Sequence, residues 1–483
     1  MVTSTRSTRR SPSSASPHAS SRRGSKGLLR NTLVAAAALA SVALPQVAQA
    51  ALYEPAGDQV MLGMWFDPAD PYYDTPAAIN QKIGFNFPVF QIAQSIPLPA
   101  YNYTTGAGGA APENMIERSS TDAAIFITIY PTSLSAITDD DFTALGKQIY
   151  DYQANLNRTV FLRYAPEMQG TWMPYGMQPT AFLASWKQLY NLVKTVAPET
   201  IMVWAPNTPQ GYPYGQQTAF RSSSAEDQAL LDTNNNGELD AGDDALAPYY
   251  PGDEWVDWVG LSIYYKGVPS DTQNTIQPAG YCARIMNGTD PADGSTITNW
   301  YQTYCAEKPD KACMFAEAGA AFHEDDTGTA TQAELLQAWL KDCVTNTTMY
   351  SDFPRLKLYM HFEYEKTETA NDRSDDLRDY RLTNISSVVD EFKADLSSAG
   401  DLFTWANPRA QPTSISSAGA PAATNSAGES VVNAITATTR AKPTTFPSLF
   451  GTTSDGTQRA EWMELGVLLT AGAVGAWGVM RTL

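Results

Sequence analysis

Eight short apolar runs punctuate the middle of the chain: Met61–Phe66, Phe87–Ile92, Ala123–Ile129, Thr159–Tyr164, Thr200–Trp204, Val256–Tyr264, Ala312–Ala316 and Leu356–Phe362. They are rich in Val, Ile, Leu and aromatic residues, as strands buried on both faces are. Longer segments with apolar residues at helical spacing lie between them. Asp139–Leu156 carries Phe142, Leu145, Ile149 and Tyr152, with acidic residues at its start, where the helix dipole favours them. Thr180–Val196 carries Phe182, Trp186, Tyr190 and Val193. Thr331-x-x-Glu334 is a capping box that opens a helix through Trp339 and Leu340. Strand–helix alternation predicts a parallel sheet covered by helices. Eight such units between residues 51 and 407 predict an α/β fold, a (β/α)8 TIM barrel with insertions. Periodicity cannot show closure, so an open doubly wound sheet is the alternative.

The two ends read differently. Residues 1–50 hold a basic, Ser-rich run from Arg6 to Arg30, an apolar stretch from Leu33 to Leu44, and Ala48-Gln49-Ala50. That is the order of a secretory signal peptide, cut after Ala50. The apolar core is too short for a spanning anchor, which needs roughly 20 residues. Residues 408–454 turn to Ser, Thr, Ala, Pro and Gly and cannot bury enough apolar surface to fold. They read as an O-glycosylated stalk. Residues 455–483 hold small residues, a polar spacer and the apolar stretch Leu465–Met480, the order of a GPI-attachment signal, with a short membrane anchor as the alternative. Sequons at Asn102, Asn157, Asn287, Asn346 and Asn384 all fall inside the barrel segment and suit an exported glycoprotein.

Charge and cysteines sharpen this picture. The formal net charge is −19, from 32 basic and 51 acidic residues. The first 50 residues hold seven basic and no acidic residue, so the mature chain is more acidic still. Such a surface argues against nucleic acid as a partner. The four cysteines, Cys282, Cys305, Cys313 and Cys343, are clustered and expected to form two disulfides in an oxidising compartment. Of three connectivities the sequential one, Cys282–Cys305 with Cys313–Cys343, is expected. With no CxxC and three histidines, His18, His323 and His361, a zinc site is not expected.

In a barrel of this kind chemistry sits at the C-terminal ends of the strands. Polar residues there are few: Asp67, Tyr130, Glu167, Asn207, Tyr264, Glu317, His361 and Glu363. Glu167 follows the fourth run and Glu317 the seventh, across the mouth from each other. Two carboxylates facing one bond are what glycoside hydrolysis needs, one as proton donor and one ionised, roughly 5–5.5 Å apart in a retaining enzyme. The small neighbours Gly170, Ala316, Ala318 and Gly319 suggest room for a sugar ring.

Three segments carry a resemblance. Arg163-x-x-Pro166-Glu167-Met168-Gln169-Gly170-x-Trp172 resembles the Arg-x-x-His-Glu-Met-Asn-Gly-x-Trp motif of glycoside hydrolase family 26. Tyr249–Tyr264 resembles that family's sixth-strand segment, and Phe315-Ala316-Glu317-x-Gly319 its nucleophile strand. The likeness covers about residues 58–395. It implies a retaining (β/α)8 hydrolase with Glu167 as acid/base and Glu317 as nucleophile. It also implies that Tyr264 orients Glu317, that Arg163 is a buried charge supporting the glutamates, and that Trp172 is a sugar-stacking platform. His361 falls where an aromatic beside the cleaved sugar is expected. Pro166 and Gln169 depart from the family's His and Asn. Asn207, Trp65, Tyr130 and Trp204 complete the expected substrate-binding set.

A second motif is local. Asp232-x-Asn234-x-Asn236-Gly237-Glu238-x-Asp240-x-x-Asp243 places oxygen side chains at loop positions 1, 3, 5, 9 and 12, with Gly at 6. This predicts a structural calcium in the insertion before the sixth strand, with Glu238 at position 7. No cofactor is expected for catalysis. The reading is therefore a monomeric, lipid-anchored cell-surface hydrolase of a β-linked polysaccharide, foremost an endo-β-1,4-mannanase. A β-1,3-xylanase or β-glucanase on the same barrel, or a non-catalytic polysaccharide-binding protein, are the alternatives.

Overall fold

The computed structural model describes residues 51–67, 75–98, 112–214, 224–267, 273–308, 310–324, 328–368 and 376–410. The segments read as export signal and attachment signal, almost all of the stalk, and Asn102 lie outside the described residues. Among the described residues no helix is long and apolar enough to cross a membrane.

The predicted runs become eight parallel strands: β1 (Val60–Phe66), β2 (Val89–Ile96), β3 (Ala124–Pro131), β4 (Val160–Tyr164), β5 (Ile201–Trp204), β6 (Trp258–Tyr265), β7 (Ala312–Ala320) and β9 (Leu356–Glu363). Each pairs with its neighbour in that order, and β9 returns to β1 from Met61↔Leu358 to Phe66↔Glu363. The sheet is a closed (β/α)8 barrel, and the open-sheet alternative is excluded.

Strand alternation divides the side chains into two layers. Met61, Val89, Phe126, Phe161, Ile201, Val203, Trp258, Met314, Leu358 and Met360 fill the barrel interior. The opposite face of each strand packs on the helices, in a second and larger cluster. Gly63 is needed here, because a Cβ would lie 2.2 Å from Met360 Sδ and 2.9 Å from the Val89 carbonyl. The chain entering at Ala51 is tied to the interior layer, where the Leu52 carbonyl accepts from Trp258 Nε1 at 2.8 Å.

The helices follow their sequence signals. Asp139–Ala154 is capped by Thr138 with a capping box to Asp141, and Gln332–Cys343 by Thr331 with the predicted box to Glu334. Pro179 opens the helix through Val196, where its missing N–H costs nothing.

The disulfides differ from the sequential expectation. Cys282 bonds Cys343, and Cys305 bonds Cys313. The reason lies in the helix packing. Helix Tyr281–Met286 docks on the end of helix Gln332–Cys343, where Asp342 accepts from the amides of Gly280 and Tyr281 at 3.0 and 2.8 Å. Cys282 therefore meets Cys343, with Cα atoms 5.6 Å apart. Cys313 lies on the helix-facing side of β7, within reach of Cys305 in the preceding turn.

Candidate active site

Glu317 owes its direction to a β-bulge. Along β7, Met314 and Ala316 face the barrel interior, whereas Phe315, Ala318 and Ala320 face the helices. Simple alternation would send Glu317 outward with Phe315. The register with β6 instead jumps from Leu261↔Phe315 to Ser262↔Glu317, so one residue is extra. That extra residue shifts the parity, and Glu317 turns inward, as bulges beside active sites often re-aim a side chain.

Glu167 is placed by strained backbone. Ala165 and Glu167 have φ of +46° and +57°, a region non-glycine residues rarely enter. The turn is pinned on both sides. Glu167 N–H donates to the Ala205 carbonyl at 3.1 Å, and Tyr175 Oη donates to the Pro166 carbonyl at 2.9 Å. Gln169 braces the loop after β5: its Nε2 donates to the Asn207 carbonyl at 2.6 Å, and Asn207 N–H donates back to Oε1 at 3.2 Å.

The two carboxylates have different surroundings. Glu317 accepts from the Tyr264 hydroxyl on Oε1 and from Arg163 Nη1 at 2.5 Å on Oε2. Arg163 is fully buried, and its Nη2 donates to Ser262 Oγ at 2.5 Å. Burial, and next the charge of Glu317, hold the Tyr264 hydroxyl well above the ordinary phenol range, so it stays a donor. Glu167 accepts from Asn207 Nδ2 at 2.9 Å and from Trp172 Nε1 at 2.7 Å. Burial and then the charge of Glu317 raise the Glu167 pKa, against the smaller opposing effect of Arg163. One carboxyl is thus pushed towards its protonated form. The other is gripped by a cation and a hydroxyl.

The rest of the expected set divides. Trp65, Phe362 and Tyr380 form an aromatic cluster inside the mouth, with Tyr130, Tyr264 and Tyr364 against it. Tyr130 senses both glutamates and Arg163. Trp172 is 46 % exposed, and its ring meets Tyr214 edge-on at 4.7 Å. The space beside Gly170 belongs to this indole, since a Cβ there would lie 2.5 Å from it. The sugar-sized room read from Gly170 is therefore filled. Ala316 is part of the packed interior and Ala318 of the outer layer.

Trp204 and His361 are not brought to the mouth. Both alternate outward on their strands, into the layer under the helices. Trp204 packs 5.0 Å from Tyr250 and Tyr304. His361 Nε2 bonds the Tyr380 carbonyl at 3.0 Å, with Tyr359 Oη 3.2 Å from Nδ1. Glu363 also lies outward, taken by the amides of Leu382 and Thr383, both at 3.0 Å. Sequence reading missed Ser262, Tyr175, Tyr214 and Tyr380. Gln169 lay within the quoted motif, but its bracing of Asn207 needs the loop conformation.

Burial pushes the His361 imidazole down to about 4, against the opposing pull of the Tyr380 carbonyl. In the unfolded chain a histidine binds its proton near 6.5. Between these values the unfolded state holds more protons, so stability falls as pH drops through the window, by about 3 kcal/mol in all. Acid unfolding followed by circular dichroism should show a shallower loss over pH 6.5–4 in His361→Gln. An identical profile in both proteins would remove this role.

The oxygen-rich loop is one knot of hydrogen bonds. Asp232 accepts from the amides of Asn236 and Gly237 at 3.0 and 2.8 Å. Asn234 and Asn236 accept from the amides of Asn236 and Glu238 at 2.9 and 2.7 Å. Asp243 accepts from the amides of Asn234 and Asp240 at 3.2 and 2.8 Å. Gly237, at φ +87°, makes the sharp turn. These hard oxygen donors, without nitrogen or sulfur ligands, fit a calcium ion.

No family model matches the sequence, and no curated protein matches it. The fold is similar to that of solved glycoside hydrolases. One is a Cellulomonas fimi endo-β-1,4-mannanase double mutant, 13 % identical, covering 72 % of each chain with a TM-score of 0.42. Another is the GH26 domain of a Prevotella bryantii endo-β-mannanase/endo-β-glucanase, 11 % identical, covering 70 % of this chain and 89 % of that one, TM-score 0.37. A third is GH26C from a Muricauda species, 11 % identical, covering 72 % and 87 %, TM-score 0.39. At these identities and scores the likenesses do not decide the activity.

Proposed function

We propose that the protein is a retaining glycoside hydrolase acting on a β-linked polysaccharide, foremost as an endo-β-1,4-mannanase. One observation carries the reading. Two glutamates at the mouth of a closed barrel have different surroundings: burial and the charge of Glu317 raise the Glu167 pKa, while Arg163 and Tyr264 grip the Glu317 carboxylate. The raised carboxyl suits the proton donor, and the carboxylate held by a cation and a hydroxyl suits the nucleophile.

The chemistry follows two displacements. A Glu317 carboxylate oxygen attacks the anomeric carbon, and the bond to the departing glycosidic oxygen breaks. Glu167 gives that oxygen its proton, and a glycosyl ester forms on Glu317. Glu167, now a carboxylate, takes a proton from water. The water oxygen attacks the anomeric carbon and releases Glu317. Arg163 and Tyr264 hold the nucleophile in place and take up its charge each time it leaves. The half-exposed Trp172 indole yields its place on Glu167 to the substrate oxygen.

Purified residues 51–407 would be offered mannan, glucomannan, β-1,3-xylan and mixed-linkage glucan. Reducing ends should appear from a β-glycan of this set, and the first product should keep the β anomer by proton NMR. No product from any of the four would leave a polysaccharide-binding protein. An α first product would overturn the double displacement.

The remaining parts of the proposal rest on sequence pattern. A calcium ion held by Asp232, Asn234, Asn236, Asp240 and Asp243, with the Glu238 carbonyl at position 7, would stiffen the insertion before β6. Melting of the calcium-loaded protein should fall by several degrees on chelation. An unchanged midpoint would remove the ion. Export, the O-glycosylated stalk and a lipid anchor follow from the terminal segments. A phosphatidylinositol-specific phospholipase should release the mature protein from cells that express the full chain.

A further inference from the structure

A small three-stranded antiparallel sheet stands on the C-terminal ends of β7 and β9. It comprises β8 (Phe322–His323), β10 (Glu365–Glu368) and β11 (Asp376–Asp379). Its strand period sorts charges onto two faces. One face carries Glu365 and Asp379, which Arg381 clamps. The other carries Lys366 and Glu368, opposite Arg378 and Asp376. Lys266, just beyond β6, joins this second face at Glu368.

Two features set the lysine pair apart. The first is position. Lys266 Nζ lies 5.4 Å from the ring centre of Tyr264, the residue whose hydroxyl holds Glu317. Lys366 Nζ lies 5.5 Å from the ring centre of Phe362, which is 5.6 Å from Tyr264. Both ammonium groups therefore sit above the aromatic wall of the catalytic mouth. The second is shared neutralisation. Both lysines rely on Glu368, at 3.3 and 2.9 Å. One oxygen of that carboxylate also takes Arg378 at 3.0 Å and Tyr380 Oη at 2.6 Å. Burial alone would raise Glu368, yet the three cations hold it well below the ordinary carboxyl range. Among the described residues, Glu368 is the one carboxylate in ion-pair contact with both lysines, which remain 32 % and 44 % exposed, while the charges of Glu317 and Glu167 reach Lys366 from farther off.

We propose that Lys266 and Lys366 form an anion-reading subsite at the rim of the catalytic mouth, for a substrate sugar that carries a carboxylate or a sulfate ester next to the cleaved bond. The proposal rests on the retaining-glycosidase reading alone, and names an acidic or sulfated β-glycan in place of neutral mannan as the preferred substrate. With a chain charge of −19, no general positive field draws polyanions, so recognition falls to these local donors. A charge-assisted hydrogen bond from a lysine is roughly twice as strong as a neutral one.

Binding tests the subsite without turnover. The probes are methyl β-glucuronide, methyl β-glucoside 6-sulfate and methyl β-glucoside, with their manno counterparts, titrated calorimetrically into residues 51–407. An acidic glycoside should bind about tenfold or more tightly than its neutral counterpart. The carboxylate and sulfate arms show which anion is read. Lys266→Met and Lys366→Met should each erode the preference, and the double variant should abolish it. Lys366→Arg should keep it, which separates lost charge from misfolding. Equal affinities, or a preference unchanged in the folded double variant, would overturn the subsite and leave the lysines as partners of Glu368 alone. The two readings fail separately. Cleavage of neutral glycan without acid preference sinks only the subsite, and acid preference without cleavage of any glycan sinks only the glycosidase.

Discussion

Glu317→Ala is expected to abolish hydrolysis, with kcat falling on the order of 10⁴-fold or more, the scale seen when a covalent nucleophile is removed. The same change should cost stability. It leaves Arg163, fully buried, without its carboxylate partner, and breaking a buried pair from one side costs about 3–5 kcal/mol. Azide, a small anion, should enter the space left and attack the anomeric carbon in place of the carboxylate. It would form a glycosyl azide of inverted configuration and restore part of the rate. Rescue separates a missing nucleophile from a damaged fold. Glu317→Ala with wild-type activity would end the assignment.

Glu167→Ala should act differently. General acid catalysis contributes about 10²–10⁴-fold, and the loss should depend on the leaving group. Native polysaccharide needs a proton on the departing oxygen, so its cleavage should fall by that factor. An aryl glycoside with an acidic phenol needs none in the first step, so its glycosyl ester should still form, as a burst followed by slow turnover. The pH profile carries the sign. Burial and the charge of Glu317 raise the Glu167 pKa, so the wild-type acid survives above the ordinary carboxyl range. Activity is then lost as pH rises through that raised value. This basic limb should be absent in Glu167→Ala. An equal loss on both substrate types, with the limb intact, would move the acid role to another residue.

Much of the barrel was legible because strands buried on both faces leave apolar runs, and helices between them leave period-3.6 stripes. Run ends were less legible. β7 reads as stopping at Ala316 because Glu317 breaks the apolar run, yet the strand continues to Ala320. The bulge that turns Glu317 inward leaves no mark in the composition of the run. Parity explains the misplaced aromatics. Trp204 and His361 sit near strand ends that face the mouth, but one residue decides between mouth and helix layer. The cysteine connectivity depended on which helices dock together, a tertiary fact invisible to spacing. Lys266 and Lys366 are 100 residues apart in the chain and meet only through the small sheet above the barrel.

The central claim is that Glu317 forms a covalent bond to the sugar. The direct measurement is trapping with activated 2-deoxy-2-fluoro glycosides in manno, gluco and xylo configuration, followed by peptide mass mapping. The fluorine slows both formation and breakdown of the glycosyl ester, and the good leaving group restores formation alone, so the ester accumulates. A single added fluorosugar is expected on the peptide that contains Glu317, lost when the Glu317→Ala variant is treated in the same way. A fluorosugar on another carboxylate, or steady turnover of native glycan with no adduct from any of the three reagents, would contradict it.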